Sequence, residues 1–126
     1  MKKIVINTPN APAPVGPYSQ AIRVGETLYV SGQVAIIPQT GEMDMADIPT
    51  ETKRVMENLK AVLTEAKATF DNVVMTTIFL SDMGNFATVN EVYSSYFTAD
   101  FPARATVAVK TLPKNVNVEI SVIAHF

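Results

Sequence analysis

The sequence contains no cysteine and a single histidine, His125. The lack of cysteine excludes disulfides, thiolate metal ligands and a cysteine nucleophile. One histidine cannot build a histidine-based metal site, and we expect neither a metal nor a buried Ser-His-Asp triad. His125 itself is expected to be an exposed terminal residue.

Charge is also scarce, at 17% of residues, with 10 lysines and arginines against 12 acidic residues and a net charge of −2. Basic residues adjoin only at Lys2-Lys3 and Lys53-Arg54, which argues against a nucleic-acid surface. No apolar run approaches the length of a membrane span, so we expect a cytoplasmic protein without a membrane partner. The 126 residues, 48% of them hydrophobic, predict one globular domain over 1–126.

Periodicity predicts six strands and two helices. A proline-laden segment at 9–17 is expected to form an ordered, extended arm. Asp47 is a predicted N-cap for a helix reaching about Thr69, and Asn85 for a second helix. Strands are predicted at residues 3–7, 19–24, 27–34, 73–80, 103–110 and 117–124, with the one at 73–80 central and covered on both faces.

This order of elements predicts an α+β fold with a mixed sheet and two helices on one face. Two helices cover only one face of a sheet, so the other face is solvated or packs on another chain. Alternation in the last strand separates Val118, Ile120 and Val122 from Glu119 and Ser121. The second face is therefore semi-polar, which favours a homo-oligomer.

Arg104 is the first candidate functional residue, because it lies in an apolar segment predicted to be a strand. A guanidinium keeps its charge at any working pH, so burying it requires an anionic partner. Its donor fork suits a carboxylate, from the protein or from a ligand. The other two arginines, Arg23 and Arg54, are expected in ordinary solvent-facing positions.

Glu119 is a carboxylate within another apolar strand, where desolvation can raise its pKa toward that of a general base. An internal salt bridge with Arg104 on the adjoining strand is the alternative, and the residues alone favour it. Tyr18 follows a rigid Gly16-Pro17 turn and either lines a pocket or packs beneath a loop. Ser31-Gly32 either lets a ligand approach the backbone or forms a plain bulge.

Phe86 is expected in the apolar stripe of the second helix, together with Tyr93 and Tyr96. Asn90, midway along that helix, is expected to reach an interface rather than the core.

Six collinear motifs, covering nearly the whole chain, resemble the RidA/YjgF/YER057c/UK114 family of reactive intermediate deaminases. They begin at Gly16, Leu28, Asn85, Phe101, Leu112 and Val118, and read GPYSQA, LYVSGQ, NFATVN, FPAR, LPK and VEI.

The resemblance implies a chorismate-mutase-like fold, a homotrimer with a central barrel, and active sites in clefts between subunits. It also implies 2-iminobutanoate/2-iminopropanoate deaminase activity, which hydrolyses enamine and imine acids to 2-oxo acids and ammonia without a cofactor.

Carried over by position, Arg104 would grip the substrate carboxylate and Glu119 would orient or deprotonate the attacking water. Tyr18, Ser31 and Gly32 would shape the pocket, the backbone at Thr106 would supply hydrogen bonds, and Phe86 and Asn90 would lie near the cleft. Many members have cysteine where this chain has Thr106, so any thiol chemistry of theirs is absent here.

Two other functions remain open at this point. The same cleft could hold a small 2-oxo acid in a sensing or regulatory trimer, in which Arg104 matters and Glu119 does not. Some relatives have been described as ribonucleases or translation inhibitors, but the acidic composition argues against an RNA-directed role.

Overall fold

The computed structural model describes residues 2–126. Six strands and two α-helices follow one another in the predicted order. They are β1 (Lys3–Ile6), β2 (Ala21–Val24), β3 (Thr27–Gln33), α1 (Ile48–Glu65), β4 (Val73–Leu80), α2 (Phe86–Ser94), β5 (Ala103–Ala108) and β6 (Val118–His125). No helix within the described residues is long and apolar enough to cross a membrane.

The strands form one sheet in the order β1-β2-β3-β6-β4-β5. β4 and β5 are parallel and are connected through α2, whereas the other neighbours are antiparallel. This mixed sheet confirms the predicted α+β class. β5 lies at an edge of the sheet. β4 separates it from β6, so β5 and β6 are not neighbours in the sheet although they follow each other along the chain.

Both helices pack on one face of the sheet, which carries the core. The alternate β6 residues Val118, Ile120, Val122 and Ala124 are buried there. The opposite face, called the open face below, is half-exposed: Tyr29 is 51% and Val107 45% exposed. The predicted alternation is thus confirmed. The prediction that β4 is covered on both faces is wrong for the single chain, because Met75, Thr77 and Phe79, which point to the open face, are only partly buried.

Helix α1 begins as predicted and ends earlier than predicted. The Asp47 side chain accepts a hydrogen bond from the Thr50 backbone N–H at 2.8 Å, which caps the first turn. The helix ends at Glu65 rather than near Thr69. Lys67 is left-handed, with φ 63°, and the Ala68 N–H donates to the Leu63 carbonyl at 2.8 Å. This Schellman motif stops the helix.

The proline-laden arm is ordered by one buried side chain, Gln20. Its amide oxygen accepts from the Thr8 N–H at 2.7 Å, and its amide nitrogen donates to the Thr8 carbonyl at 3.0 Å and the Pro12 carbonyl at 3.0 Å. A buried amide with its hydrogen bonds made holds a segment that proline excludes from regular structure. The predicted ordered arm is confirmed.

Candidate functional site

Arg104 is exposed rather than buried, because β5 is an edge strand. Its guanidinium donates to the Asn90 side-chain oxygen at 2.7 Å. The guanidinium carbon lies 5.5 Å from the centre of the Phe86 ring and 5.2 Å from that of Tyr93. Helix α2 therefore holds the cation by one amide and two aromatic rings, all on one helix face.

Arg104 has no carboxylate partner among the described residues, in which the two ion pairs are Arg23–Glu26 and Arg54–Asp44. The expectation for the three arginines is therefore reversed. Arg23 and Arg54 are half-buried and paired, while Arg104 is exposed with donors left free. Unpaired donors on a pre-oriented guanidinium can grip a carboxylate from outside the chain.

A pocket of about 410 Å³ adjoins the guanidinium. It is lined by Asn90, Tyr93, Ser94, Phe101, Pro102 and Arg104. The sequence predicted Tyr93 in the core and no role for Phe101 or Pro102. Tyr93 is a core residue that also lines the pocket: it is 3% exposed, and its hydroxyl donates to the Thr76 side chain at 3.1 Å. Phe101, directly before Pro102 in the sequence, is 60% exposed, and the two residues form part of the pocket wall.

Thr106 lies two residues after Arg104 on the same strand. The Val109 N–H donates to the Leu80 carbonyl of β4 at 2.9 Å. Backbone groups alternate in direction along a strand, so the N–H and carbonyl of Thr106 point away from β4 toward the free sheet edge. The Thr106 hydroxyl is buried without a hydrogen-bond partner. These main-chain groups are thus available at the sheet edge, and the hydrogen-bonding role of Thr106 stays a prediction.

Glu119 lies on the open face, half-buried in the middle of the sheet. Burial raises the pKa of its carboxyl group above the ordinary value of 4.5. A β-carbon built on Gly32 would overlap the Glu119 carboxyl group, with the carboxyl carbon only 2.9 Å away. Gly32 thus leaves room for the Glu119 carboxyl group in its present position, and a side chain there would push that group aside. The φ of Gly32 is not in the left-handed region, so its backbone conformation does not itself call for glycine.

Ser31 and Gly32 form a β-bulge. Val30 pairs with Val122 and Gln33 with Ile120, so two residues of β3 lie opposite one residue of β6. The Ser31 hydroxyl donates to the Ser19 carbonyl at 2.6 Å. Tyr18 is 51% exposed and lines a second pocket of about 410 Å³ with Ser19, Tyr29 and Ser31. The bulge interpretation is confirmed, and Tyr18 lines a pocket rather than packing beneath a loop.

The structure therefore divides the predicted site residues into two groups. Arg104, Thr106, Phe86 and Asn90 lie at the β5 edge on the helix side of the sheet. Glu119, Gly32, Ser31 and Tyr18 lie on the open-face side. The salt bridge between Arg104 and Glu119 that the residues alone favoured is wrong: no such pair is present among the described residues, and β4 lies between their strands.

Within residues 2–126, no group of three or more histidine, aspartate or glutamate side chains lies close enough together to hold a metal ion. His125 is exposed, as expected.

The endoribonuclease L-PSP family model matches residues 8–126. The chain is 52% identical to a RutC family protein of Pyrococcus abyssi, covering 99% of this chain and 98% of the relative. It is 47% identical to 2-iminobutanoate/2-iminopropanoate deaminase of Mus musculus, covering 95% of this chain and 89% of the relative. A solved Rid family protein of Yersinia pestis superposes with a TM-score of 0.97 at 48% identity, covering 99% of this chain and 100% of that one. The chain belongs to the endoribonuclease L-PSP family and is similar to these RutC and Rid proteins; the predicted family is confirmed.

Proposed function

We propose that this protein is a hydrolytic deaminase of 2-imino acids, with 2-iminopropanoate and 2-iminobutanoate as substrates. The observation that carries the proposal is the exposed Arg104 guanidinium, held by Asn90 and two rings and free of any carboxylate in residues 2–126. Imino acids and their 2-oxo acid products share the carboxylate that such a fork recognises. The mouse relative bears the name of this activity.

In the proposed reaction, Arg104 binds the carboxylate and the backbone N–H of Thr106 supports it. The enamine form first takes a proton from solvent at its β-carbon to become the iminium ion. Glu119 then accepts a proton from water as the water oxygen bonds to the iminium carbon, which gives a carbinolamine. Glu119 returns that proton to nitrogen, the carbon–nitrogen bond breaks as the hydroxyl group gives its proton to solvent, and ammonia and a 2-oxo acid leave. A carboxyl group whose pKa burial has raised is suited to such transfers.

We further propose that each site is shared between two copies of the chain in a homotrimer whose open faces line a central barrel. In this arrangement Tyr18, Ser31, Gly32 and Glu119 of one copy face Arg104 of the next. Support comes from the division of these residues between the two sides of one sheet, and from the apolar side chains on the open face, including Tyr29 and Val107.

The direct assay couples the purified protein to a dehydratase that releases 2-aminoacrylate or 2-aminocrotonate, and measures ammonia and 2-oxo acid. Acceleration by the wild type but not by Arg104→Ala supports the proposal. A folded wild-type protein that binds 2-oxo acids yet gives no acceleration would instead indicate a sensing module. In that case Glu119→Gln would leave ligand binding unchanged.

A further inference from the structure

Glu51, in the first turn of α1, is a buried carboxylate that the proposed reaction does not use. It is 0% exposed. One carboxyl oxygen accepts from the backbone N–H groups of Asn117 at 2.8 Å and Val118 at 3.1 Å. The other oxygen accepts from the Asn117 side-chain amide at 2.9 Å. All three hydrogen bonds come from the two residues that precede Glu119.

Glu51 has no cationic partner in the described chain, where neither ion pair includes it. A buried carboxylate is costly unless hydrogen bonds replace its lost hydration. Here N–H donors alone fill that role, and charge-assisted bonds of this kind are stronger than neutral ones. The carboxylate therefore fixes the entry into β6 more tightly than a neutral residue would.

The chain needs such an anchor because the preceding turn is irregular. Lys114 and Asn115 have φ values of 58° and 55°. Asn117 is also tied to β4, since its carbonyl accepts from the Ser81 N–H and its side-chain oxygen from the Ser81 hydroxyl, both at 3.0 Å. Glu51 thus joins α1 to the point where β6 begins pairing with β4.

We infer that Glu51 is a positioning residue for Glu119: its hydrogen bonds fix the start of β6 and so the placement of the Glu119 carboxyl group over Gly32. The carboxyl group lies directly against Gly32, where a β-carbon would come within 2.9 Å of the carboxyl carbon. Productive geometry at a site tolerates displacements of only about 0.5 Å. The kinetic effect of Glu51 rests on the deaminase function proposed above.

The kinetic test is Glu51→Gln, with Glu65→Gln as the matched control, because Glu65 is an exposed carboxylate on the same helix. We expect kcat for Glu51→Gln to fall at least about tenfold, a part of what a positioned acid–base group supplies. We expect KM to change less than about twofold, because Arg104 binds the carboxylate from a different strand. In a Glu119→Gln background the Glu51 substitution should lower kcat no further. An equal loss in that background, or unchanged kcat, would overturn the inference.

A second readout does not depend on activity. The Glu119 carboxyl group is titrated by carbon-13 NMR in the wild type, Glu51→Gln and Glu65→Gln. A changed pKa of Glu119 in Glu51→Gln alone is the expected result, and identical titrations would contradict it. Asn117→Ala is titrated alongside, because it removes one of the three hydrogen bonds while leaving the Glu51 side chain in place, and so separates positioning from the loss of a nearby carboxylate. An unchanged pKa of Glu119 in Asn117→Ala would contradict the positioning role. A wild-type protein without deaminase activity would contradict the proposed function. The titration would still decide whether Glu51 positions Glu119.

Discussion

Arg104 and Glu119 project from opposite faces of the same sheet. Arg104 pairs with Thr76, which is buried on the helix side, whereas Glu119 pairs with Phe79 on the open face. Two strand spacings separate them by roughly 10 Å, and three residues along the strands add about 10 Å more. Within one chain, the Arg104 guanidinium and the Glu119 carboxyl group are therefore too far apart to contact the same small molecule. A reaction that uses both needs a second copy of the chain.

Replacing Arg104 tests carboxylate recognition. We expect Arg104→Ala to lose about 2–5 kcal/mol of transition-state stabilisation, measured as kcat/KM, because the substrate carboxylate loses its bidentate partner. Arg104→Lys keeps the charge but not the fork, and should recover only part of the loss. The free energy of unfolding should change by less than about 0.5 kcal/mol, since the side chain is exposed. Near-normal turnover by Arg104→Ala would contradict this role.

Glu119→Gln separates an enzyme from a binding module. The amide keeps the shape of the carboxyl group but cannot accept a proton, so we expect kcat to fall about 10²–10⁴-fold. Binding of a 2-oxo acid, measured by calorimetry, should be retained because Arg104 is intact. Turnover that survives this substitution would remove Glu119 from the reaction.

The same variant has a predicted effect on stability. Burial raises the pKa of Glu119 above 4.5 in the folded chain, so the folded state binds more protons than the unfolded state between 4.5 and the raised value. The contribution of this group to the free energy of unfolding therefore falls as pH rises through that window. Glu119→Gln should be more stable than the wild type at pH 7 and show a weaker pH dependence, as measured by urea unfolding from pH 4 to 8. A variant less stable at pH 7 would contradict the desolvation argument.

Gly32→Ala should displace the Glu119 carboxyl group, because the added carbon overlaps it, and forcing that flexible side chain out of its rotamer should cost about 0.5–1.5 kcal/mol. The cost should largely disappear in a Glu119→Ala background, giving a coupling energy in a double-mutant cycle. Gly16→Ala is the control, since its new carbon would lie 3.7 Å from the Tyr18 ring, an ordinary contact. An unchanged cost without Glu119 would mean that the backbone, rather than this contact, requires glycine.

Lys67→Gly should stabilise the protein by about 0.5–1 kcal/mol, because Lys67 has a left-handed φ of 63° at the end of α1. Lys60→Gly, an exposed interior position of the same helix, should destabilise by about 1 kcal/mol. The opposite signs, measured by thermal unfolding, separate the effect of backbone conformation from the loss of a lysine. Destabilisation at both positions would contradict the Schellman assignment.

Local pattern was enough to predict much of this fold. Strand β4 has the predicted bounds, and the alternation of β6 placed Glu119 on the correct face. The cap at Asp47 is also read directly from residue type and position. The end of α1 was not predictable in this way, because Lys67 adopts a conformation in which glycine is preferred.

The candidate site was harder, because it depends on strand order rather than on local pattern. The sequence shows that β5 and β6 are successive strands, but only long-range pairing inserts β4 between them. That insertion makes β5 an edge strand, exposes Arg104, and separates it from Glu119. The contacts of Asn90 and Tyr93 with Arg104 likewise follow from how α2 packs.

The most direct test of the shared site mixes two inactive variants, Arg104→Ala and Glu119→Gln, in one assembly by co-expression and co-purification with different tags. The Glu119→Gln variant still has Arg104, and the Arg104→Ala variant still has Glu119. A site shared by two copies is therefore intact wherever the first of these supplies Arg104 and the second supplies Glu119. Every mixed trimer contains one junction of the required order, so one of its three sites is intact, and the doubly purified assemblies should recover about a third of the wild-type specific activity. Mixed assemblies no more active than the separate variants would contradict the shared site.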